Sequence, residues 1–322
     1  YFYQYSIQLG YNSSQAFVNT ALIYINQQDF ENALSFINNG LEVYENDEQL
    51  LLTLAAYYEK IKNIPKAIEI YTNLIKSNPY SFEGCFNLGN IYKSIWQLDS
   101  AITCYLAALN ISPNNQKVLL NLGITYHAKT DFNSAIECFN KILQLNPQNQ
   151  DALNNLGGTY FEIGSYDLAI ETYKKAIAVD PNSPLEHFNL GICLLLIGDL
   201  NNGFKEYEWR KNLSEYKRDL NIKEWHGESL IGKSIFIYAE QGIGDIFQFV
   251  RYLKELKKLG GIVTLECRKE VYNLMANLDY IDFVIKRGSN IVESEYDYFT
   301  SLLSLPAVLN SNLSNLPNYV HY

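Results

Sequence analysis

The chain has 322 residues, of which 48% are hydrophobic, and its formal net charge at pH 7 is -10. This acidic balance argues against a nucleic acid as partner, because nucleic-acid binding depends on Lys and Arg clustered against phosphate. No run approaches 18 uninterrupted apolar residues, so the sequence predicts no membrane span.

Cysteine and histidine usage limits the chemistry further. The five cysteines contain no CxxC pair and are predicted to be buried thiols in a reducing compartment, which favours a cytoplasmic location. The four histidines lack any ligand spacing, so no metal is expected.

The two ends suggest a piece of a longer protein. The opening YFYQYSIQLG has neither Met nor the basic start and long apolar stretch of a secretory signal. The final LPNYVHY follows shortly after an alternating strand and helix pattern has begun. We therefore expect truncation at both ends.

A tripeptide recurs at a constant step of 34 residues. It is Asn-Leu-Gly, at 87–89, 121–123, 155–157 and 189–191. Prolines, alanines and aromatics keep the same step, as at Pro79, Ala67 and Tyr71. Small residues let two helices approach closely, the aromatic fills the gap beside them, and Pro stops a helix before the next hairpin. This periodicity predicts stacked helical hairpins, with Asp99, Asp167 and Asp199 as helix N-caps.

The repeated positions resemble the tetratricopeptide repeat family. Its pattern is matched at Leu88, Gly89, Tyr92, Ala101, Tyr105, Ala108 and Pro113. The resemblance implies an all-α solenoid, an α-α superhelix, over residues 1–217. About six repeats are expected, at 14–47, 48–81, 82–115, 116–149, 150–183 and 184–217.

One position recurs on the first helix of each repeat. It carries Asn19, Thr53, Asn87, Asn121, Asn155 and Asn189. An amide both donates and accepts, so a row of asparagines could hold the backbone of a polypeptide partner. This row resembles the asparagine ladder of the O-linked N-acetylglucosamine transferases, which holds acceptor polypeptide. The alternative is that these asparagines contact neighbouring repeats.

After a linker at 218–232, the period changes from helical to strand-like at 233–322. SIFIYAE, IVTLEC and YIDFVI are predicted strands, DYFTSLLSLP could begin a fourth, and IFQFVRYLKELKKLG is a predicted helix. Alternating units indicate a parallel sheet. Because ligands bind at the carboxyl ends of parallel strands, the loop with Gln241, Gly242, Gly244 and Asp245 is the candidate substrate loop.

Asp245 is the candidate catalytic residue of this loop. The loop is not a dinucleotide fingerprint, because the third glycine would fall at Phe247 and Asp245 places a negative charge where a phosphate would bind. An ionised Asp at a helix N-terminus suits a general base and equally an ordinary N-cap. Glu240 and Glu266, at strand ends, could pair with Asp245, but we predict that they are solvated. Arg251 could meet a phosphate if the chain folds it back, but we predict a surface ion pair.

Four runs in this half are similar to the bacterial tetratricopeptide-repeat glycosyltransferases. They are 204–210, 225–233, 239–252 and 298–306. The resemblance implies a partial Rossmann-like lobe, the N-terminal lobe of a GT-B domain. A weaker similarity to heptosyltransferases assigns Asp245 the role of base. The nucleotide-sugar donor would be held by a C-terminal lobe that this sequence does not contain, so no cofactor and no activity are expected of this chain alone.

Three functions remain open at this stage. The repeats could present an acceptor to a cytoplasmic glycosyltransferase, or form a non-catalytic interaction scaffold. In the third, the strand and helix segment is a degenerate lobe that stabilises the end of the solenoid.

Overall fold

The computed structural model describes residues 13–317. The predictions about the first twelve residues and about residues 318–322, including His321, lie outside this part. Residue contacts divide the chain into two compact units, Tyr1–Thr159 and Tyr160–Tyr322, and the border falls within one helix.

Twelve helices, α1 to α12, precede the first strand of the described part. They are Ser14–Asn26, Phe30–Val43, Glu48–Lys60, Ile64–Ser77, Phe82–Ser94, Leu98–Ile111, Gln116–Ala128, Phe132–Leu145, Gln150–Glu162, Tyr166–Val179, Pro184–Leu196 and Leu200–Tyr207. They form six hairpins at the predicted places. The last helix is short and continues as a 3-10 turn at Glu208–Asn212.

The turn inside each hairpin repeats one backbone conformation. A residue with positive φ occurs every 34 residues, at Gln28, Lys62, Trp96, Thr130, Gly164 and Gly198. The left-handed conformation reverses the chain direction between the two helices. Gly is favoured there, but four repeats use a residue with a side chain, including the exposed Trp96.

The repeated small residues pack as the sequence predicts. A Cβ added at Gly89 would lie 2.7 Å from a ring carbon of Tyr105, and one added at Gly123 would lie 2.6 Å from a ring carbon of Phe139. Both aromatic residues are fully buried. In these two repeats the first helix therefore contacts the aromatic residue of its second helix so closely that no side chain larger than hydrogen fits.

Two of the predicted N-caps are wrong. The residues that precede the second helices of the third and fifth repeats are Gln97 and Ser165, so Asp99 and Asp167 lie in the first turn instead. A carboxylate still favours that place because of the helix dipole. Asp199 is an N-cap, and its side chain accepts from the backbone of Asn202.

The second unit ends in a small parallel sheet. Its strands, β1 to β5, are Lys223–Glu224, Ser234–Tyr238, Ile262–Cys267, Phe283–Lys286 and Tyr298–Ser301. All pairings are parallel, and the order is β1-β5-β2-β3-β4. The four predicted strands are confirmed. The strand β1 was not predicted, and it lies within the predicted linker.

Short helices follow β2, β3 and β5. They are α13 at Ile243–Phe249, α14 at Leu253–Lys258, α15 at Tyr272–Met275 and α16 at Leu305–Val308. A 3-10 turn at Val250–Tyr252 separates α13 from α14, so the single helix expected there is interrupted. Apolar residues of these helices pack on the central strands and form one buried core, which includes Trp225 and Leu230 from the predicted linker.

Candidate functional site

Two regions of the described chain carry the residues that the sequence singled out: the first helices of the repeats and the carboxyl edge of the sheet. No group of three or more His, Cys, Asp or Glu that could hold a metal ion occurs among residues 13–317. In the same range, no helix is long and apolar enough to cross a membrane. Four of the cysteines are buried, and none of the five forms a disulfide.

The recurring asparagines all lie on first helices and are half-buried. Asn19 accepts from Gln15 Nε2 at 2.9 Å, and Asn155 Nδ2 donates to the backbone carbonyl of Asp151 at 2.7 Å. Each bond stays within one helix. Much of the donor and acceptor capacity of these amides is therefore not used by neighbouring repeats.

Other members of the row do contact their neighbours. Asn87 forms a hydrogen bond with the hydroxyl of Tyr71. Asn121 accepts from Lys93 Nζ at 2.7 Å and donates to Asn90 Oδ1 at 3.2 Å. Asn189, on α11, belongs to the second unit. The structure thus places all five asparagines on the predicted helices, and Asn87 and Asn121 have contacts beyond their own helix.

The carboxyl ends of three strands meet at one edge of the sheet. Tyr238, the last residue of β2, is paired with Glu266 on β3 and with Ser301 on β5. The chain proceeds from β2 to β3 and β4 on one side and adds β5 on the other. This edge of β2 is therefore a switch point, the place where open parallel sheets bind ligands.

Asp245 lies on α13, in the loop that follows β2. Its Oδ2 accepts from the backbone N–H of Gly242 at 3.0 Å, and Gly242 is the N-cap. Asp245 is the third residue of the helix and is half-exposed. Gln241 donates to the Tyr207 hydroxyl at 2.7 Å. A Cβ added at Gly244 would meet nothing within 4 Å, so the loop is open at that position.

The residue at the centre of this edge is Arg210, which the sequence did not single out. It is fully buried, and its Nε donates to Glu240 Oε1 at 2.7 Å. Its NH2 donates to the hydroxyls of Ser301 at 3.2 Å and Ser304 at 3.1 Å. Its NH1 donates to Glu208 Oε1 at 2.8 Å. Arg210 therefore joins the segment after α12 to the ends of β2 and β5.

The electrostatics of this cluster are internally balanced. Burial alone lowers the pKa of Arg210, but the carboxylates of Glu240 and Glu208 more than offset it, so the pKa is raised. Burial acts to raise the pKa of Glu208, but the charges of Arg210 and Lys211 outweigh this effect and hold the pKa below its ordinary value. The second oxygen of Glu240, Oε2, is buried and has no hydrogen-bond partner among the described residues.

Glu240 and Glu266 are not solvated, contrary to the prediction. The Glu240 side chain is 5% exposed and that of Glu266 is 2% exposed. Glu266 accepts from Arg218, whose guanidinium lies 5.0 Å from the ring centroid of Tyr238. Parallel strands covered on both faces bury their carboxyl ends, and each buried carboxylate takes an arginine.

The prediction for Arg251 is also wrong. Its NH1 donates to the carbonyl of Pro317 at 3.3 Å, and it forms no ion pair within residues 13–317. A signal for the Arg210 cluster did exist in the sequence. Arg210 and the two serines lie in two of the runs, 204–210 and 298–306, that carry the resemblance to glycosyltransferases.

Comparison with known proteins identifies the helical part. Models of tetratricopeptide repeats match residues 97–130 and 157–198, residues 117–149 and residues 138–171. The stacked hairpins define a helical-repeat protein, and residues 97–198 of its helical part match the tetratricopeptide repeat models. A search of the curated proteins found no match.

Solved structures share the fold of the repeats. The chain is similar to PilF of Pseudomonas aeruginosa, with 18% identity over 62% of this chain and 91% of that one, at a TM-score of 0.53. A tetratricopeptide repeat protein from Parabacteroides merdae gives 16% identity, 62% and 79% coverage and a TM-score of 0.53. MamA is 23% identical over 51% of this chain and 95% of that one, at a TM-score of 0.48. At these identities, the first two show the fold of the matched part alone.

Proposed function

We propose that the first helices of the repeats bind an extended segment of a polypeptide. The observation that carries the proposal is the row of half-buried amides at a constant step on these helices, Asn19, Asn87, Asn121 and Asn155 within the first unit. A peptide backbone offers one donor and one acceptor at each residue, and an asparagine amide can accept from the first and donate to the second. Recognition through the backbone tolerates varied sequences.

The proposal is tested with a displayed library of random 12-residue peptides, a probe that requires no knowledge of the natural partner. A peptide selected by the wild-type chain is then measured against Asn87→Ala/Asn155→Ala. Each lost hydrogen bond contributes about 0.5 to 1.5 kcal/mol net, so the double variant should bind roughly 5-fold to 150-fold more weakly. The matched control is Asn140→Ala, a half-buried asparagine on the second helix α8.

Thermal stability separates the two roles of the asparagines. If they grip the peptide, the double variant keeps a nearly unchanged Tm while affinity falls. If it melts much earlier and the folded fraction binds normally, the asparagines contact neighbouring repeats only, and the proposal fails.

The second part of the proposal concerns glycosyl transfer. In a chain that also carries a donor-binding lobe, the carboxyl edge of the sheet faces the acceptor, and Asp245 takes the proton of its hydroxyl. Three observations support this: the switch point beside β2, the half-exposed carboxylate of Asp245 and the open space at Gly244. The nucleotide sugar then belongs to the other lobe, and the protein works in the cytoplasm.

Asp245→Asn tests this part in a chain with both lobes. General-base catalysis contributes about 10²-fold to 10⁴-fold, so kcat for transfer to the selected peptide should fall by that order. The Tm should change little, because the Asn oxygen still accepts from the backbone of Gly242. Donor affinity should also change little, because the nucleotide sugar belongs to the other lobe. Near-normal turnover would leave Asp245 with its capping contact alone.

A scaffold without catalysis is the second candidate. It is favoured by the buried ion pairs near the loop. Glu240 pairs with Arg210 and Glu266 pairs with Arg218, so these charges are neutralised within the protein. Under this candidate, peptide binding is unchanged and no nucleotide sugar is turned over by any form of the chain.

A further inference from the structure

A cavity in the second unit lies away from the candidate substrate loop. Its volume is about 300 Å³. Its lining comes from α12, from the end of α13 with the 3-10 turn that follows it, and from Leu316 and Pro317. No residue of the loop at 241–245 lines it. The cavity is therefore separate from the edge of the sheet at which glycosyl transfer is proposed.

Three aromatic side chains form much of the lining. The rings of Phe204 and Phe249 meet edge to face with their centroids 6.4 Å apart, and the rings of Phe249 and Tyr252 are stacked at 6.2 Å. Phe204 and Tyr252 are buried. Leu200 and Leu316 extend the apolar surface. Because the rings hold one another in place, the lining is preformed and suits a flat apolar body.

The polar end of the cavity is formed by Arg251 and Gln248. They are three residues apart, a spacing that places side chains on the same side of a helix or a 3-10 turn. Arg251 carries the only charge among the described residues that line the cavity. An apolar lining with a single cation fits a ligand that has an apolar body and one negative charge.

Most donors of the Arg251 guanidinium have no acceptor within residues 13–317. NH1 donates to the carbonyl of Pro317 at 3.3 Å. Nε is buried without a hydrogen-bond partner in this range, and NH2 has none there either. A buried N–H without an acceptor costs free energy, and an oxygen that accepts from it recovers this free energy. Nε and NH2 share one edge of the guanidinium, which matches the two oxygens of a carboxylate once the side chain turns slightly toward the cavity.

The size and the charge of the cavity narrow the class of ligand. An apolar cavity of about 150 Å³ can hold a benzene molecule, so about 300 Å³ has room for one ring and a short acidic chain. A phosphate ester carries nearly two negative charges, and a single arginine would leave one of them without a partner. A carboxylate carries one charge, which Arg251 balances.

We propose that this cavity binds a small aromatic monocarboxylate, with its ring against Phe249 and Tyr252 and its carboxylate on Arg251. The inference goes beyond the proposed function. It shares no residue with the asparagines of the first helices or with the loop that carries Asp245, so it can be right or wrong independently of both.

The test measures three probes on the whole chain by ligand-observed nuclear magnetic resonance. The first is 3-phenylpropionate, and a ligand of this size should bind with a Kd of roughly 0.1 to 5 mM. Its uncharged counterpart, 3-phenylpropanamide, should bind at least about 10-fold more weakly, as expected when a charged hydrogen bond is lost. Acetate, which has the charge without the ring, should also bind at least about 10-fold more weakly.

Variants assign the carboxylate preference to Arg251. On Arg251→Met, which removes the cation and keeps an apolar stem, the two phenyl ligands should differ by less than about 3-fold. The control Arg268→Met removes the same charge from an exposed position outside the cavity and should retain the full difference. Leu200→Trp adds bulk to the lining and should weaken 3-phenylpropionate by at least about 10-fold. Circular dichroism checks that each variant is folded.

Two results would overturn the inference. One is the absence of saturable binding of 3-phenylpropionate up to about 20 mM. The other is a preference for the carboxylate over the amide that is missing in the wild type or that survives in Arg251→Met. The comparison of the three probes on the wild type requires no substitution, so it decides the matter even if Arg251→Met does not fold.

Discussion

Removing Arg210 should strongly destabilise the sheet-containing end of the chain. Its guanidinium is 0% exposed and its partner Glu240 is 5% exposed, so Arg210→Met leaves a buried carboxylate without its cation. Breaking a buried pair by removing one partner costs about 3 to 5 kcal/mol. A typical domain has a free energy of unfolding of about 5 to 15 kcal/mol, so the loss is a large share of the total.

Hydrogen exchange of the β2 amides, Ser234–Tyr238, measures the free energy of opening of this region separately from that of the repeats. Protection of these amides should fall by roughly two to four orders of magnitude in Arg210→Met. Arg210→Met/Glu240→Gln should recover part of it, because the uncompensated charge is then gone. The control Lys258→Met breaks the largely exposed pair with Glu255 and should change protection little.

The double variant decides whether charge is the cause. Protection that falls in Arg210→Met and does not recover when Glu240 is neutralised would show that lost packing and the serine bonds dominate. Unchanged protection in the single variant would refute the central position of Arg210.

Two further predictions concern the repeats. Gly123→Ala places a Cβ against the buried ring of Phe139 and should lower the free energy of unfolding by about 1 to 3 kcal/mol in urea titrations, whereas Gly244→Ala, in open space, should cost less than about 1 kcal/mol. Burial raises the pKa of Glu59 despite the hydrogen bond from Tyr71. The pKa of Glu59 is therefore higher in the folded chain than in the unfolded one. Its contribution to the free energy of unfolding is complete below about pH 4.5 and is lost as the pH rises through the folded-state pKa. Glu59→Gln should raise Tm at pH 7 and lose that advantage at pH 4, and an equal gain at both values would refute this.

The helical half could be predicted well because its information is local and repeated. The 34-residue step predicts the helices, the turns and the packing contacts together. A position that is ambiguous in one repeat can be assigned from the same position in the next repeat. Asp99 and Asp167 were misplaced because an acidic residue suits both the cap and the first turn, and the sequence pattern does not separate them by two residues.

The sheet half was predicted less completely for a different reason. Its strands are apolar runs and were recognised, but β1 has two residues and too little pattern to detect. The arginine cluster depends on pairings between residues 30 to 94 positions apart, Arg210 with Glu240, Ser301 and Ser304. No periodicity encodes such pairings, so the buried state of the two carboxylates became visible only in the fold.

The central claim is that the first helices of the repeats bind polypeptide through their asparagines. Nuclear magnetic resonance of the side-chain amides, assigned by single Asn→Ala variants, tests it during titration with a selected 12-residue peptide. The account predicts that the signals of Asn87, Asn121 and Asn155 shift in a saturable manner while that of Asn140, on a second helix, stays in place. Saturable shifts confined to Asn140 and other second-helix residues, with the three ladder signals unmoved, would contradict it.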